Sequence, residues 1–157
     1  MKTTTTVVIG DPHAHPRYDN KRFYHLGKAV RVLEADRVHC VGDWTDWPSL
    51  SAHKTEREMR EAHYLKDLNA GKNALGMFDE GLEGHPDRKT ITLGNHDMYP
   101  DRYVAKNDPM LEWVIDWDDV LFREHRWRTS PFKEETIVSG FVCSHYFPSG
   151  DMGRAQG

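Results

Sequence analysis

The chain has 157 residues and a formal net charge of −4, which suits one domain over residues 1–157 and argues against a general nucleic-acid-binding surface. Hydrophobic residues make up 38% of it, and five tryptophans and six phenylalanines exclude a disordered chain. No apolar run approaches the roughly 18 residues of a membrane span, and the N-terminus lacks a signal-peptide pattern. Cys40 and Cys143 lie in apolar runs and are predicted to be buried thiols, so a soluble, cytoplasmic protein is expected.

Strands and helices alternate in the first half of the chain. Residues 4–9 are rich in β-branched side chains and predict a strand, which glycine and proline residues then end. Apolar residues recur at helical spacing between residues 19 and 35, and residues 37–43 predict a second strand that ends in Gly-Asp. A polar helix is expected over residues 51–70, with Gly71 as its stop.

The second half continues this alternation and then turns to strands. Residues 73–87 predict a weak helix and a loop, and residues 88–97 predict a third strand with its exit. A short helix is expected over residues 108–117, followed by strands over residues 119–127 and 135–145, the latter with a glycine that marks a turn or bulge. This order predicts a layered α/β domain with parallel strands.

Side chains that commonly bind metal ions follow four of these strands. They are Asp11 and His13 after the first strand, Asp43 and Asp46 after the second, Asn95, His96 and Asp97 after the third, and His145 after the last. Ligands of open α/β sheets gather outside the carboxyl ends of the strands, so these side chains are expected at one edge of the sheet. Each motif alone is an ordinary turn sequence, but an explanation of all four as structural turns without function requires four coincidences.

The chemistry of these residues predicts a centre of two divalent ions. Asp11 and His13 can face one ion when Pro12 fixes a sharp turn, and a carboxylate such as Asp43 can bridge two ions. Nitrogen and oxygen donors without a thiolate suit Mn, Fe, Zn or Ni, with Mn as the leading candidate. Two such ions about 3.5–4 Å apart clamp a phosphoryl group and turn water into a hydroxide nucleophile.

The segments GDPHAH, GDWTD, GNHD and a later SH resemble the motifs of the calcineurin-like metallophosphoesterase superfamily across residues 9–145. The resemblance implies a β-sandwich flanked by helices (α/β/β/α) and hydrolysis of a phosphomonoester or phosphodiester by a metal-activated hydroxide. It also implies five metal ligands: Asp11 and His13 on one ion, Asn95 and His145 on the other, and Asp43 bridging both.

The resemblance assigns roles to the neighbouring residues as well. His96 would give a proton to the leaving oxygen, with Asp97 orienting it, and Asp46 would orient the residues of the motifs from behind. The protein serine/threonine phosphatase branch is not expected, because Trp47 and Pro48 follow Asp46 where that branch has Arg-Gly.

The last motif of the superfamily, G-H-x-H, has no counterpart after His145. Its absence predicts a truncated product or the N-terminal part of a split protein, whose site a separate C-terminal segment completes. On this alternative the chain binds metal but has little activity by itself, because the metal geometry depends on a full set of ligands.

Three side chains near the predicted site are candidates for substrate contact: His15, Trp44 and Trp47. The tryptophans could stack on a base, which keeps a nucleic acid open as a substrate, but packing of their loop against the domain is the favoured interpretation. His15 is more simply an exposed side chain.

A local basic cluster consists of Arg123, Arg126 and Arg128. It could steer phosphate, but alternation along a strand favours solvated charge on one face.

One competing enzyme class is suggested by Asp11, His13 and His15, which resemble the D-x-H-x-H strand end of amidohydrolases. That class needs a barrel of roughly 200 residues or more and does not explain GNHD.

A protein that binds metal but has lost catalytic turnover is a second alternative. The pattern does not distinguish a monoester, a diester or a nucleic acid as the substrate.

Overall fold

The computed structural model describes residues 3–51, 56–61, 63–111 and 119–146. The strands are β1 (Thr6–Ile9), β2 (Arg37–Cys40), β3 (Lys89–Thr92), β4 (Trp127–Ser130), β5 (Thr136–Val138) and β6 (Phe141–Cys143). The helices are α1 (Lys21–Val32), α2 (Glu56–Glu61), α3 (Tyr64–Leu82) and α4 (Tyr99–Asn107).

Strands β1 to β4 form one sheet in chain order, and every neighbouring pair is parallel. Val38 pairs with Val7 on one side and Lys89 on the other, and Lys89 pairs with Trp127. Strands β5 and β6 form an antiparallel hairpin, and Gly140 lies in its turn with a φ of 88°. The predicted α/β class with parallel strands is confirmed, and within the described ranges the second sheet consists of this hairpin.

Helices α1 and α3 pack on one face of the parallel sheet and enclose the core. Glycines allow the two helices to cross closely, because a Cβ on Gly27 would overlap the main-chain oxygen of Phe78 and one on Gly81 would overlap that of Tyr24. Phe78 is fully buried and packs on Trp127, with 5.7 Å between the ring centroids. This packing supports the strands whose ends carry the predicted site.

The opposite face of the sheet is polar and meets the hairpin. His39 is fully buried on this face, although it is a polar residue. Thr92 donates a hydrogen bond of 3.3 Å to the hydroxyl of Thr136, and the hydroxyls of Thr6 and Ser139 lie 2.7 Å apart. Helices, parallel sheet and hairpin therefore lie in successive layers.

The predicted helix stop at Gly71 is wrong. Helix α3 continues through Gly71, and the glycine serves close packing, because a Cβ at this position would overlap the hydroxyl of Thr45 in the loop that the helix packs against. The helix ends instead at Leu82, and Glu83 caps it in the left-handed conformation with a φ of 51°. Residues 52–55 and 62 of the predicted helix lie outside the described residues.

The strand predicted over residues 119–127 is also wrong. A π-helical turn occupies Asp119–Arg123, and β4 begins only at Trp127. Leu121 and Phe122 are both buried, which a helical turn allows and the alternation of a strand does not.

Helix α4 occupies a stretch for which the sequence pattern predicts no helix. Of the short helix expected over residues 108–117, Pro109–Leu111 form a single 3-10 turn, and residues 112–118 lie outside the described part of the chain.

The helices and the two cysteines bear on the cellular location that the sequence predicts. None of the helices in the described ranges combines the length and apolarity needed to cross a bilayer. Both cysteines are free thiols, Cys40 fully buried and Cys143 partly exposed.

Candidate metal centre

The predicted site residues lie at the carboxyl ends of the strands. The loops after β1 and β2 run side by side there, since His13 donates its backbone N–H to the oxygen of Asp43 (3.0 Å) and Ala14 donates to that of Trp44 (2.7 Å). Asp46 then donates to the oxygen of Ala14 (3.0 Å). These main-chain bonds bring the first two motifs together although about thirty residues of chain separate them.

The backbone of these loops is strained at three of the predicted metal ligands and at one tryptophan. Asp11, His13, Asp43 and Trp47 have positive φ values of 29°, 48°, 52° and 49°. Each such residue costs of the order of 1–3 kcal/mol, and strain of this kind gathers at functional sites.

One group of side chains surrounds His145. Its Nδ1 donates to the main-chain oxygen of Val41 (2.8 Å) and lies 3.5 Å from Oδ1 of Asp11. Its Nε2 lies 3.0 Å from Oδ1 of Asn95 and 3.4 Å from Oδ2 of Asp43. Ligand atoms of Asp11, Asp43 and His145 all lie within 4.8 Å of one another.

A second group surrounds Asp46. Its Oδ1 lies 3.2 Å from Nδ1 of His13 and 3.0 Å from Nδ1 of His96, and the two imidazoles meet edge to face at 4.8 Å. Nε2 of His13 lies 3.8 Å from Oδ2 of Asp43, so Asp43 lies between the two groups.

The hydrogen bonds of the two imidazoles decide whether these residues fit a metal ion. Nδ1 of His145 donates to Val41 and Nδ1 of His13 donates to Asp46, so in the neutral, metal-binding form of each ring Nε2 keeps its lone pair. Both lone pairs converge on Oδ2 of Asp43, and the amide oxygen of Asn95 joins them. Such acceptor atoms repel one another unless positive charge lies among them, so this donor set fits divalent cations.

Two glycines allow the loops after β2 and β3 to pack closely against each other. A Cβ on Gly94 would overlap both the carboxylate and the backbone nitrogen of Asp43, and a Cβ on Gly42 would overlap the nitrogen of Gly94. The backbone N–H of His96 donates to Oδ1 of Asp43 at 2.8 Å. The glycines before Asp43 and Asn95 are therefore required by close packing of one loop on the other.

The predicted pairing of His96 with Asp97 is wrong. Asp97 is buried, and its carboxylate accepts backbone N–H bonds from Asp43 (2.7 Å), Gly94 (2.8 Å) and Trp44 (3.1 Å). Burial raises the pKa of this carboxyl to about 6, despite the bonds that it accepts. Asp97 thus ties the two loops together rather than orienting the imidazole.

Asp46 orients His96 instead. Nδ1 of His96 lies 3.0 Å from the carboxylate of Asp46 and donates to its main-chain oxygen at 2.8 Å. Hydrogen bonds to His13 and His96 hold the pKa of Asp46 well below its usual value, and the bond to Asp46 raises that of His13. Burial lowers the pKa of His96, but its contacts with Asp46 outweigh this and leave the pKa raised.

The two tryptophans are buried in the core, which supports the favoured interpretation of loop packing over contact with substrate. Trp44 is fully buried and packs on Phe23 with 5.2 Å between the ring centroids. Trp47 is also fully buried and stacks on Tyr64 at 5.6 Å. Their apolar rings pack the loop against the core, as the alternative interpretation expected.

His15 is largely covered, with 13% of its side chain exposed, rather than openly solvated. Its Nε2 lies 3.8 Å from Oδ2 of Asp46, and its ring packs on Tyr18 at 4.9 Å. Burial lowers the pKa of this imidazole.

The carbonyl of Val41 is a functional group that sequence reasoning misses. It orients His145 through the main chain, and any residue type supplies the same oxygen. The pairing of Asp46 with His96 is likewise a contact across fifty residues that no local pattern marks.

Two comparisons with known proteins complete the description of this centre. The comparison with curated proteins finds no match to this chain. A family model described as calcineurin-like phosphoesterase matches residues 4–151, which is nearly the whole chain and includes every residue of the two groups. The chain belongs to the calcineurin-like phosphoesterase family.

Proposed function

We propose that the protein hydrolyses a phosphomonoester or phosphodiester with the help of two divalent transition-metal ions, Mn before Fe, Zn or Ni. Membership of the phosphoesterase family supports the general class. The observation that carries the proposal is the convergence of His13 and His145 on the carboxylate of Asp43, with the amide oxygen of Asn95 beside His145. When bound, two ions supply positive charge to the phosphoryl oxygens and acidify water.

The ligands divide between the ions according to these contacts. The resemblance pairs Asp11 with His13, but Oδ1 of Asp11 lies 3.5 Å from Nδ1 of His145. We therefore assign Asp11, Asn95 and His145 to one ion and His13 to the other, with Asp43 shared between them. Asp43 would bridge two such ions, because its Oδ2 faces both imidazoles.

His96 acts as the general acid in this proposal. Its Nδ1–H is committed to Asp46, so its Nε2 is the atom that carries a proton to the leaving oxygen. The contacts with Asp46 raise the pKa of His96 and so favour its protonated form.

The test is turnover of p-nitrophenyl phosphate and bis-p-nitrophenyl phosphate in the presence of Mn²⁺. His96→Ala should lower kcat by about 10²–10⁴-fold, the usual contribution of a general acid. The exposed His25 on α1 provides a matched control, and His25→Ala should leave kcat unchanged. The ratio of the two rates assigns the ester class, and the same assay with single-stranded DNA tests a nucleic-acid substrate. An unchanged kcat in His96→Ala would overturn the assignment.

We also propose, as the second candidate, that a further segment completes the centre. The hairpin supports it, since Ile137 and its cross-strand partner Val142 are 76% and 51% exposed on the side away from the parallel sheet. Side chains of this kind are normally covered by another layer. Elemental analysis of the purified chain tests the idea, and two tightly bound ions without any added segment would contradict it.

The amidohydrolase alternative is not supported. It requires a closed barrel, whereas the described strands form an open sheet of four strands and a hairpin. The family match also indicates a phosphoesterase instead of an amidohydrolase. The alternative of a metal-binding protein without turnover is tested by the nitrophenyl phosphate assay, because it predicts metal binding with no hydrolysis.

We place the protein in the cytoplasm, where thiols stay reduced. The free thiols Cys40 and Cys143 support this placement. Fractionation of cells that produce the protein tests it, and recovery from an oxidising compartment would contradict it.

A further inference from the structure

A second concave site lies at the opposite edge of the parallel sheet. It is a cavity of about 340 Å³ lined by residues at the amino ends of the strands, among them Arg37 of β2, Thr90 of β3 and Arg128 of β4. Residues of β5, including Thr136, form another wall. Its volume falls in the range of about 300–1,000 Å³ that small-molecule sites occupy.

Four arginines line this cavity: Arg37, Arg88, Arg126 and Arg128. In the described part of the chain, none of the four forms an ion pair with a carboxylate. The fifth cation, Lys89, is already committed to Asp79 at 2.5 Å.

The charge of the cavity is therefore strongly positive. Asp87 is the carboxylate among its lining residues. Four guanidinium groups and one carboxylate give +4 − 1 = +3, in a chain whose overall formal charge is −4. Like charges gathered in a concave space repel one another, and an anionic ligand removes that cost.

Arg37 supplies an independent sign of a ligand. Its Nε is buried and has no hydrogen-bond partner. A buried, unpaired donor costs about 1–3 kcal/mol or more, and a guanidinium has no other protonation state to adopt. An oxyanion in the cavity would provide the missing acceptor.

We propose that this cavity binds a small anion that carries two or more phosphate groups. Guanidinium forks match phosphate oxygens two at a time, and a charge near +3 suits a diphosphate or triphosphate better than a single phosphate. The enclosing β5 wall and the limited volume favour a compact ligand over an extended nucleic-acid strand. The cluster that alternation along a strand assigns to solvated charge thus contributes Arg126 and Arg128 to a binding site.

This site is separate from the metal centre. Arg37 opens β2, whereas Asp43 follows the end of the same strand, so at least roughly 10 Å of strand lies between them at 3.3 Å per residue. The cavity and the two metal-ligand groups share no residue.

Isothermal titration of the EDTA-treated protein with inorganic orthophosphate, pyrophosphate and tripolyphosphate, at one ionic strength, tests the proposal. Affinity should rise along this series. The exposed residues Arg88 and Arg128 can be changed without disturbing the core, and Arg88→Gln and Arg128→Gln should each weaken tripolyphosphate binding by at least about tenfold. Arg128→Lys keeps the charge but loses the fork, so its affinity should fall between those of wild type and Arg128→Gln.

Two control variants distinguish binding in this cavity from binding at the metal centre and from attraction to surface arginines in general. Arg60→Gln removes an exposed arginine of α2 that does not line the cavity, and Asp43→Asn disables the proposed metal centre. Both variants should bind tripolyphosphate as wild type does. Absence of binding by wild type at millimolar tripolyphosphate, or wild-type affinity in Arg88→Gln and Arg128→Gln, would overturn the proposal. Tighter binding of a single-stranded oligonucleotide, lost in the same two variants, would replace the small anion by a nucleic acid.

Discussion

The carboxylate of Asp46 lies 3.0 Å from Nδ1 of His96 and 3.2 Å from Nδ1 of His13. One side chain therefore orients both imidazoles, one proposed as a metal ligand and the other as the proton donor. In each ring this contact directs the N–H toward Asp46 and leaves Nε2 for the centre.

Asp46→Asn should lower kcat for p-nitrophenyl phosphate by about 10–100-fold, the usual effect of removing a group that orients a ligand. An amide offers one acceptor oxygen in place of two and carries no charge, so the imidazoles lose their common partner. Steady-state kinetics with saturating Mn²⁺ measure the effect, which should fall mainly on kcat rather than on KM. A variant with wild-type kcat would show that the orientation of His96 does not depend on Asp46.

Asp43→Asn should remove tight binding of both ions, because Oδ2 of Asp43 faces His13 and His145 alike. Elemental analysis after desalting measures the loss. Thermal unfolding with and without Mn²⁺ gives a second readout, since an ion at a hundred times its Kd stabilises the folded state by about 2.7 kcal/mol. Asp108→Asn changes an exposed carboxylate after α4 and should keep both the ions and the thermal shift. Retention of one tightly bound ion by Asp43→Asn would contradict a bridging role.

Gly94→Ala should unfold at a lower temperature and lose metal, because the added Cβ would overlap the carboxylate and backbone nitrogen of Asp43. Gly76→Ala is the matched control: it lies within α3, where an added Cβ meets nothing within 4 Å. The control should gain about 0.5–1 kcal/mol of stability from helix propensity. Urea unfolding of both variants measures the contrast, and equal stability of the two would show that the loops can separate without cost.

Asp79 joins α3 to the sheet, since its carboxylate contacts Lys89 at 2.5 Å and Nδ1 of His125 at 2.7 Å. Burial raises the pKa of this carboxyl, but the bonds from His125 and Lys89 outweigh it and hold the pKa below its usual value of 3.8. A carboxyl whose pKa is lower in the folded state adds stability that is fully present above the unfolded pKa and is lost as the pH falls through the folded pKa.

Asp79→Asn should therefore cost about 1–3 kcal/mol near neutral pH, because it leaves the nearly buried Lys89 ammonium without its anion. The difference from wild type should stay constant down to about pH 5 and shrink as the pH falls below about 3.8. Urea unfolding of both proteins across this range measures it. A difference that grows with acidity would contradict the direction of the pKa shift.

The sequence by itself determined the class of the fold and which side chains gather at the candidate centre. Alternating strands and helices predict a parallel sheet, and parallel strands place their carboxyl ends at one edge. Four polar motifs after strands must then meet there, as Asp11, Asp43, Asn95 and His145 do. These inferences depend on local periodicity and chain direction, which neighbouring residues carry.

Tertiary structure decided the contacts between residues far apart in the chain. Local pattern favours Asp97 as the partner of His96 because the two are adjacent, but the fold turns Asp97 toward backbone N–H groups and brings Asp46 to the ring. Gly71 lies inside a helix rather than at its end, and the room that it leaves is filled by Thr45 of a distant loop. The arginine cavity gathers the amino ends of separate strands, so its charge emerges only when the sheet pairs them. Such packing depends on distances across the fold, which the order of residues along the chain does not contain.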